Sequence, residues 1–197
     1  MSAWGKHLGP RTYIFGLILV SLVACTSSSS ISDNYHDPDM DFSALRSIAV
    51  MPFANLTNDK LAAERVRNTF MTSLLATGVV YVVPSGEIIR GVKRAGVQNP
   101  VAPSVDDIVK FAAIIRADAV ITGVLKEYGE VRSGTTRANV ISVSMQMIEK
   151  ETRKVVWSAS TTKGGIGTLD RLFGGGGRPM NEITEAAVDD ILNKLFY

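Results

Sequence analysis

The sequence predicts an α/β (α+β) domain built on a single mixed sheet of about five strands flanked by helices, in the order β-α-β-α-α-β-β-β-α. Three observations predict it. Short apolar runs rich in β-branched residues recur at 46–53, 79–83 and 118–126, as strands buried in a sheet interior do. Segments with apolar residues at helical spacing, opened by capping residues, separate these runs. A later run at 140–149 alternates, then meets a polar turn and a further strand pattern at 154–162, so it pairs back on itself.

Taken in order, Arg46 to Phe53 (RSIAVMPF) is the first strand, and Pro52 ends its pairing. Asn58 or Asp59 caps a helix over 60–76, with Leu61, Val66, Phe70, Leu74 and Leu75 recurring at helical spacing until Gly78 stops it. Val79 to Val83 is the second strand, closed by Pro84, and Ser85 caps a short helix to about Ala95. Gly96 to Pro103 is a loop. Ser104 caps the next helix, where Asp106 and Asp107 suit the positive end of the helix dipole. Asp118 to Lys126 is the third strand and Val140 to Glu149 the fourth, with Ile141, Val143, Met145 and Met147 on one face. Lys154 to Thr162 is the fifth. The chain closes with a helix over 180–195 whose apolar stripe is Ile183, Ala187, Ile191, Leu192 and Leu195.

The N-terminus has a different logic. Lys6 and Arg11 form a positive segment, an apolar stretch follows over 12–23, and Leu22-Val23-Ala24 precedes Cys25, the only cysteine of the chain. The stretch is shorter than the ~20 residues a membrane-spanning helix needs. This pattern resembles the bacterial lipobox, which implies that residues 1–24 are a signal peptide and that Cys25 is acylated as the new N-terminus. The plain alternative is a free thiol after an uncleaved anchor. Residues 25–43, rich in serine, aspartate and asparagine, read as a flexible tether, and the domain spans 44–197. Thr26 stands where lipoproteins retained at the inner membrane tend to carry aspartate, so the resemblance implies a lipid anchor in the outer membrane with the domain facing the periplasm.

Without the leader, 19 basic residues balance 19 acidic ones, which argues against a nucleic-acid binder. A single cysteine excludes an intramolecular disulfide and a thiolate metal cluster. The mature chain has one histidine, His36, read as a solvated tether residue, so a nucleophile has no base beside it and no catalytic residue is assigned. The acidic stretch Asp33, Asp37, Asp39 and Asp41 around His36 would hold cations only weakly, and no metal or cofactor is expected. Gly174 to Arg178 precedes a helix but lacks a phosphate loop's lysine and hydroxyl. Asp106/Asp107 and Asp189/Asp190 are neighbours in sequence rather than facing carboxylates, and read as dipole-complementing or solvated groups.

Two sequence stretches resemble a known family. Ser47-Ile48-Ala49-Val50-Met51-Pro52-Phe53-Ala54-Asn55-Leu56-Thr57 and Ala117-Asp118-Ala119-Val120-Ile121-Thr122-Gly123 are similar to the strand motifs of the periplasmic domain shared by the secretion lipoprotein CsgG, the N-terminal domain of TolB and the penicillin-binding-protein activator LpoB. The resemblance covers 44–197. It implies a non-enzymatic lipoprotein of the outer membrane that assembles, assists secretion or regulates through contacts with an envelope protein, and it is compatible with a homo-oligomer. The alternative is a subunit of a CsgG-like ring-shaped secretion channel. Against it, no set of paired 9–11-residue barrel strands is evident, the segments at 127–138 and 163–178 being short. Candidate partner contacts are Asn55 and Asp59, past the carboxyl end of the first strand, and Leu169, Leu172 and Phe173 in the glycine-rich segment, which otherwise fold back on the domain's core.

Overall fold

The computed structural model describes residues 34–134, 136–165 and 177–197. Cys25, Leu169, Leu172 and Phe173 lie outside them. Among the described residues a single mixed sheet holds seven strands: β1 (Asn34–His36), β2 (Ser47–Val50), β3 (Ala54–Asn55), β4 (Tyr81–Val82), β5 (Ala119–Ser133), β6 (Thr136–Glu149) and β7 (Val155–Gly164). Four helices flank it: α1 (Ala62–Ala76), α2 (Ser85–Ala95), α3 (Val105–Ile115) and α4 (Met180–Phe196). The strand order is β1-β7-β6-β5-β2-β4, with β3 added to β5.

Half of the sheet is parallel and half antiparallel. β2 lies between β4 and β5 and runs parallel to both, while β5, β6, β7 and β1 form an antiparallel series. Because β2 is covered on both faces, its residues alternate between two cores: Ile48 and Val50 join the layer of α1 and α4, Ala49 and Met51 the layer of α2 and α3. That double burial is why it reads as an unbroken apolar run. The start of this parallel half is latched by Asp118, whose Oδ2 accepts the Arg46 and Ser47 amides at 2.9 Å each and the Ser47 hydroxyl at 3.1 Å. Burial raises the Asp118 pKa, but these donors outweigh it and hold the carboxyl below its ordinary value.

Several expected details are corrected. Ser104 caps α3 through a box with Asp107, but α2 starts after Pro84 and Ser85 is its first residue, its hydroxyl turned to the Met71 sulfur rather than to backbone. α1 begins at Ala62, with Asp59 Oδ1 accepting the Leu61 amide just before it. The hairpin strands are far longer than their apolar cores, 15 residues in β5 and 14 in β6. Their outer halves carry Glu130, Arg132 and Arg137, paired with one another at 2.8 and 3.8 Å, so the arm offers no apolar alternation to read.

Residues 34–43 are not tether. β1 pairs antiparallel with Trp157–Ala159 of β7, and a short 3-10 turn follows at Phe42–Ala44. His36 is half-buried rather than solvated: Nε2 lies 3.3 Å from the Leu195 carbonyl and the ring meets Phe42 edge-on at 5.2 Å. A three-residue edge strand joins by main-chain bonds to a neighbour more than a hundred residues away, and leaves no periodic signal.

Asp190 is likewise not a solvated group. Its Oδ1 lies 2.6 Å from Lys163 Nζ of β7, its Oδ2 3.0 Å from Lys194 Nζ, and Lys194 also donates to the Ser160 carbonyl at 2.7 Å. Burial works to raise the Asp190 pKa, yet hydrogen bonds from Lys163, Lys194 and Thr161 lower it to about 2 from the ordinary 3.8. A depressed carboxylate pKa stabilises the fold above the unfolded-state value and ceases to as pH falls through the folded one. Asp190→Asn is therefore expected to cost about 2 kcal/mol at pH 7. The gap to wild type should close between about pH 4 and 2 in urea unfolding, and a gap that is constant across that range would refute the clamp.

Candidate functional site

The chain leaving β2 builds a cleft where the carboxyl ends of β2 and β4 open between the two helix layers. Met51 still bonds to the Ile121 carbonyl at 2.9 Å, Pro52 ends the ladder, and Phe53 turns inward to 4% exposure. Its ring occupies a slot that only glycine leaves open: a Cβ on Gly123 would stand 2.8 Å from the Phe53 Cδ1 and Cε1 atoms. The two family-like stretches thus meet as an aromatic and its socket. β3 then pairs with β5 at Val124 and Leu125, and Leu56 N bonds to the Leu125 carbonyl at 3.0 Å.

Asn55 and Asp59 are brought together, as parts of one loop. Asn55 Nδ2 donates to the Asp59 carbonyl at 2.8 Å, and its Oδ1 accepts the Thr57 amide and hydroxyl at 3.0 and 2.8 Å. Asp59 Oδ2 pairs with Arg65 Nη1 at 2.8 Å. These polar groups are engaged within the loop, which presents Leu56, 69% exposed, outward.

The residue that sequence reading missed is Arg67. It lies on the buried face of α1 and is only 8% exposed. Nε donates to the Val50 and Met51 carbonyls at 3.0 Å each and Nη2 to the Val50 carbonyl at 2.6 Å, which pins α1 to the end of β2. Burial pushes its pKa below the ordinary value while Glu64 acts to raise it, and an arginine stays charged through such a shift. The signal was available: an arginine on the stripe of Ala63, Val66, Phe70 and Leu74 has no reason to be apolar-facing unless it finds acceptors.

The cleft encloses about 470 Å³ and is lined by Phe53, Asn55, Lys60, Arg67, Ser85 and Ile88, among others. A wider groove of about 880 Å³ runs between the C-terminal turns of α1 and α4, past Val79, Leu192 and Tyr197, with Ser73, Thr77, Asp189 and Asn193 in its lining. Among the described residues no three His, Cys, Asp or Glu side chains are placed to hold a metal ion, and no helix is long and apolar enough to cross a membrane. The glycine-rich segment is anchored at both ends on β6: Gly165 N bonds to the Asn139 carbonyl at 2.8 Å, and Gly177 packs against Ala138.

The fold is shared with solved structures of low sequence identity. The chain is similar to the PelC dodecamer from Paraburkholderia phytofirmans at 18% identity, with a TM-score of 0.55 and 82% of this chain and 94% of that one covered. It is similar to the lipoprotein GNA1162 from Neisseria meningitidis at 22% identity and TM-score 0.52, covering 75% and 99%. The hypothetical protein CT253 from Chlamydia trachomatis matches at 12% identity and TM-score 0.51, covering 77% and 96%. No curated protein matches. The model of the peptidoglycan-synthase activator LpoB family matches residues 24–162, well over half of the chain, and the chain belongs to that family.

Proposed function

We propose that this protein is a lipid-anchored regulator of peptidoglycan synthesis that works through protein contact and catalyses nothing itself. The observation that carries this reading is the family match, which begins at residue 24 and so takes in Cys25 and the segment after it as well as the domain. In this reading residues 1–24 are removed, Cys25 is acylated, residues 26–33 tether the domain to the outer membrane, and the domain faces the periplasm. Of the three relatives suggested by sequence motifs the match supports LpoB; the CsgG-like secretion channel has no comparable support.

Cys25→Ser is expected to abolish fatty-acid labelling and release the protein from the membrane fraction. The purified wild-type protein is expected to raise the rate of glycan polymerisation by its cognate peptidoglycan synthase. An unlabelled wild-type protein would overturn the anchor, and an unchanged polymerisation rate the regulator role.

A homo-oligomer is a second reading, favoured by the dodecameric state of the PelC structure over which most of this chain superposes. Sedimentation velocity that finds only a monomer at micromolar concentration removes it. Leu169, Leu172 and Phe173 are the anchors proposed on the glycine-rich segment, and deleting 166–176 is expected to weaken partner capture.

A further inference from the structure

We propose that the cleft between the N-terminal ends of α1 and α2 receives a carboxylate carried beside an apolar group on an extended segment of the partner protein, with Arg67 as its cationic anchor. This rests on the reading that the protein acts through protein contact. The guanidinium has five N–H donors. The carbonyls of Val50 and Met51 engage Nε and Nη2, and no acceptor within the described residues meets Nη1. Carbonyls orient the group but do not neutralise it. Glu64, one turn earlier on α1, is exposed and favours the charged guanidinium through space but makes no ion pair with it, so a cation that is 8% exposed has no carboxylate in contact. An unpaired buried charge is costly, and a planar, doubly anchored guanidinium is preorganised for a carboxylate.

The opposite wall offers an independent reason. α2 is eleven residues long, and its N-cap, Pro84, supplies no side-chain acceptor. The amides of Ser85 and Gly86 therefore lack an intrahelical partner at the end of the helix that attracts negative charge. The same wall brings an apolar surface, with Ile88 buried and Ile89 58% exposed next to Phe53. Lys60 and Glu64 both line the cleft and offset each other, so the pull is concentrated at the floor. That arrangement suits one carboxylate with an apolar neighbour better than a phosphate or a polyanion.

The test uses detergent-solubilised full-length lipoprotein and N-acetyl-leucine as probe, read by NMR at Arg67 Nε–H and at the Ser85 and Gly86 amides. Saturable shifts at these groups are expected, with N-acetyl-leucine amide and inorganic phosphate each binding about tenfold more weakly. Arg67→Met removes the clamp on β2 and can unfold the domain, so the decisive variant is Ser85→Asp. It places a carboxylate at a favourable helix start within the cleft, keeps the melting temperature at or above wild type, and should abolish probe binding. In the polymerisation assay it should lose about tenfold in potency if a partner carboxylate uses the cleft. Equal binding of the amide or of phosphate, shifts confined to other residues, or full potency of Ser85→Asp would each overturn the proposal. A wild-type protein that binds the probe but does not stimulate polymerisation would refute the regulator reading while leaving the carboxylate site in place.

Discussion

Replacing Trp157 by alanine is expected to cost about 4 kcal/mol, a large part of the stability of a domain this size. Trp157 is fully buried and stands in register with Met147 of β6 on one side and His36 of β1 on the other. Its indole also closes the fold: Nε1 donates to the Lys194 carbonyl at 2.9 Å, in the last turns of α4. Alanine would leave a cavity and strip the Lys194 carbonyl of its shorter hydrogen bond, leaving it only the Asn34 side-chain amide at 3.4 Å. Trp157→Phe retains most of the volume and loses only the hydrogen bond, so it should cost about 1–2 kcal/mol. Urea unfolding of the two variants separates these contributions. If both fall together, the hydrogen bond dominates; if Trp157→Ala leaves the midpoint where it is, the assignment of this residue to the core is wrong.

Replacing Gly123 by alanine is expected to cost about 3 kcal/mol, because the new methyl would enter the Phe53 ring rather than empty space. The ring has little room to retreat, being 4% exposed and tilted against Phe70 with centroids 6.5 Å apart. The cost should be recoverable. In Phe53→Leu the smaller side chain leaves the socket partly empty, and adding Gly123→Ala to it should cost far less than in wild type. A double-mutant cycle measures this directly, and a coupling energy near zero would mean that the aromatic and the glycine do not depend on each other. Since Phe53 lines the cleft, Gly123→Ala is also expected to weaken probe binding there.

The parts of the fold legible in sequence are those whose burial is repeated along the chain. The run around β2 is apolar because both its faces are covered, and Ile141, Val143, Met145 and Met147 alternate because only one face of β6 there meets the α1 and α4 layer. Ser104 announced α3 because a capping box is complete within four residues. Elements whose reason lies elsewhere in the chain were not legible. β1 exists because β7 offers an edge, the outer arm of β5 and β6 because the two strands pair with each other, and Asp190 is a clamp because Lys163 arrives from another element.

The candidate site divides in the same way. Asn55 and Asp59 were found because a loop past a strand end is a recognisable place, yet their polar groups hold the loop together. Arg67 was passed over because a single cation in an apolar stripe looks like a position on a helix boundary until its acceptors are known.

What the sequence alone determined is the order of the main strands and helices, the apolar cores of the central strands, the capping of α3, and two motifs that belong together. Each of these is written in local spacing, where a side chain's environment follows from its neighbours a few residues away. The tertiary structure decided that Phe53 seats on Gly123, that Arg67 lies buried without an ion-pair partner at the floor of a cleft, and that residues 34–36 join the sheet. These depend on contacts between segments separated by tens to more than a hundred residues, and no local period records which distant groups will meet.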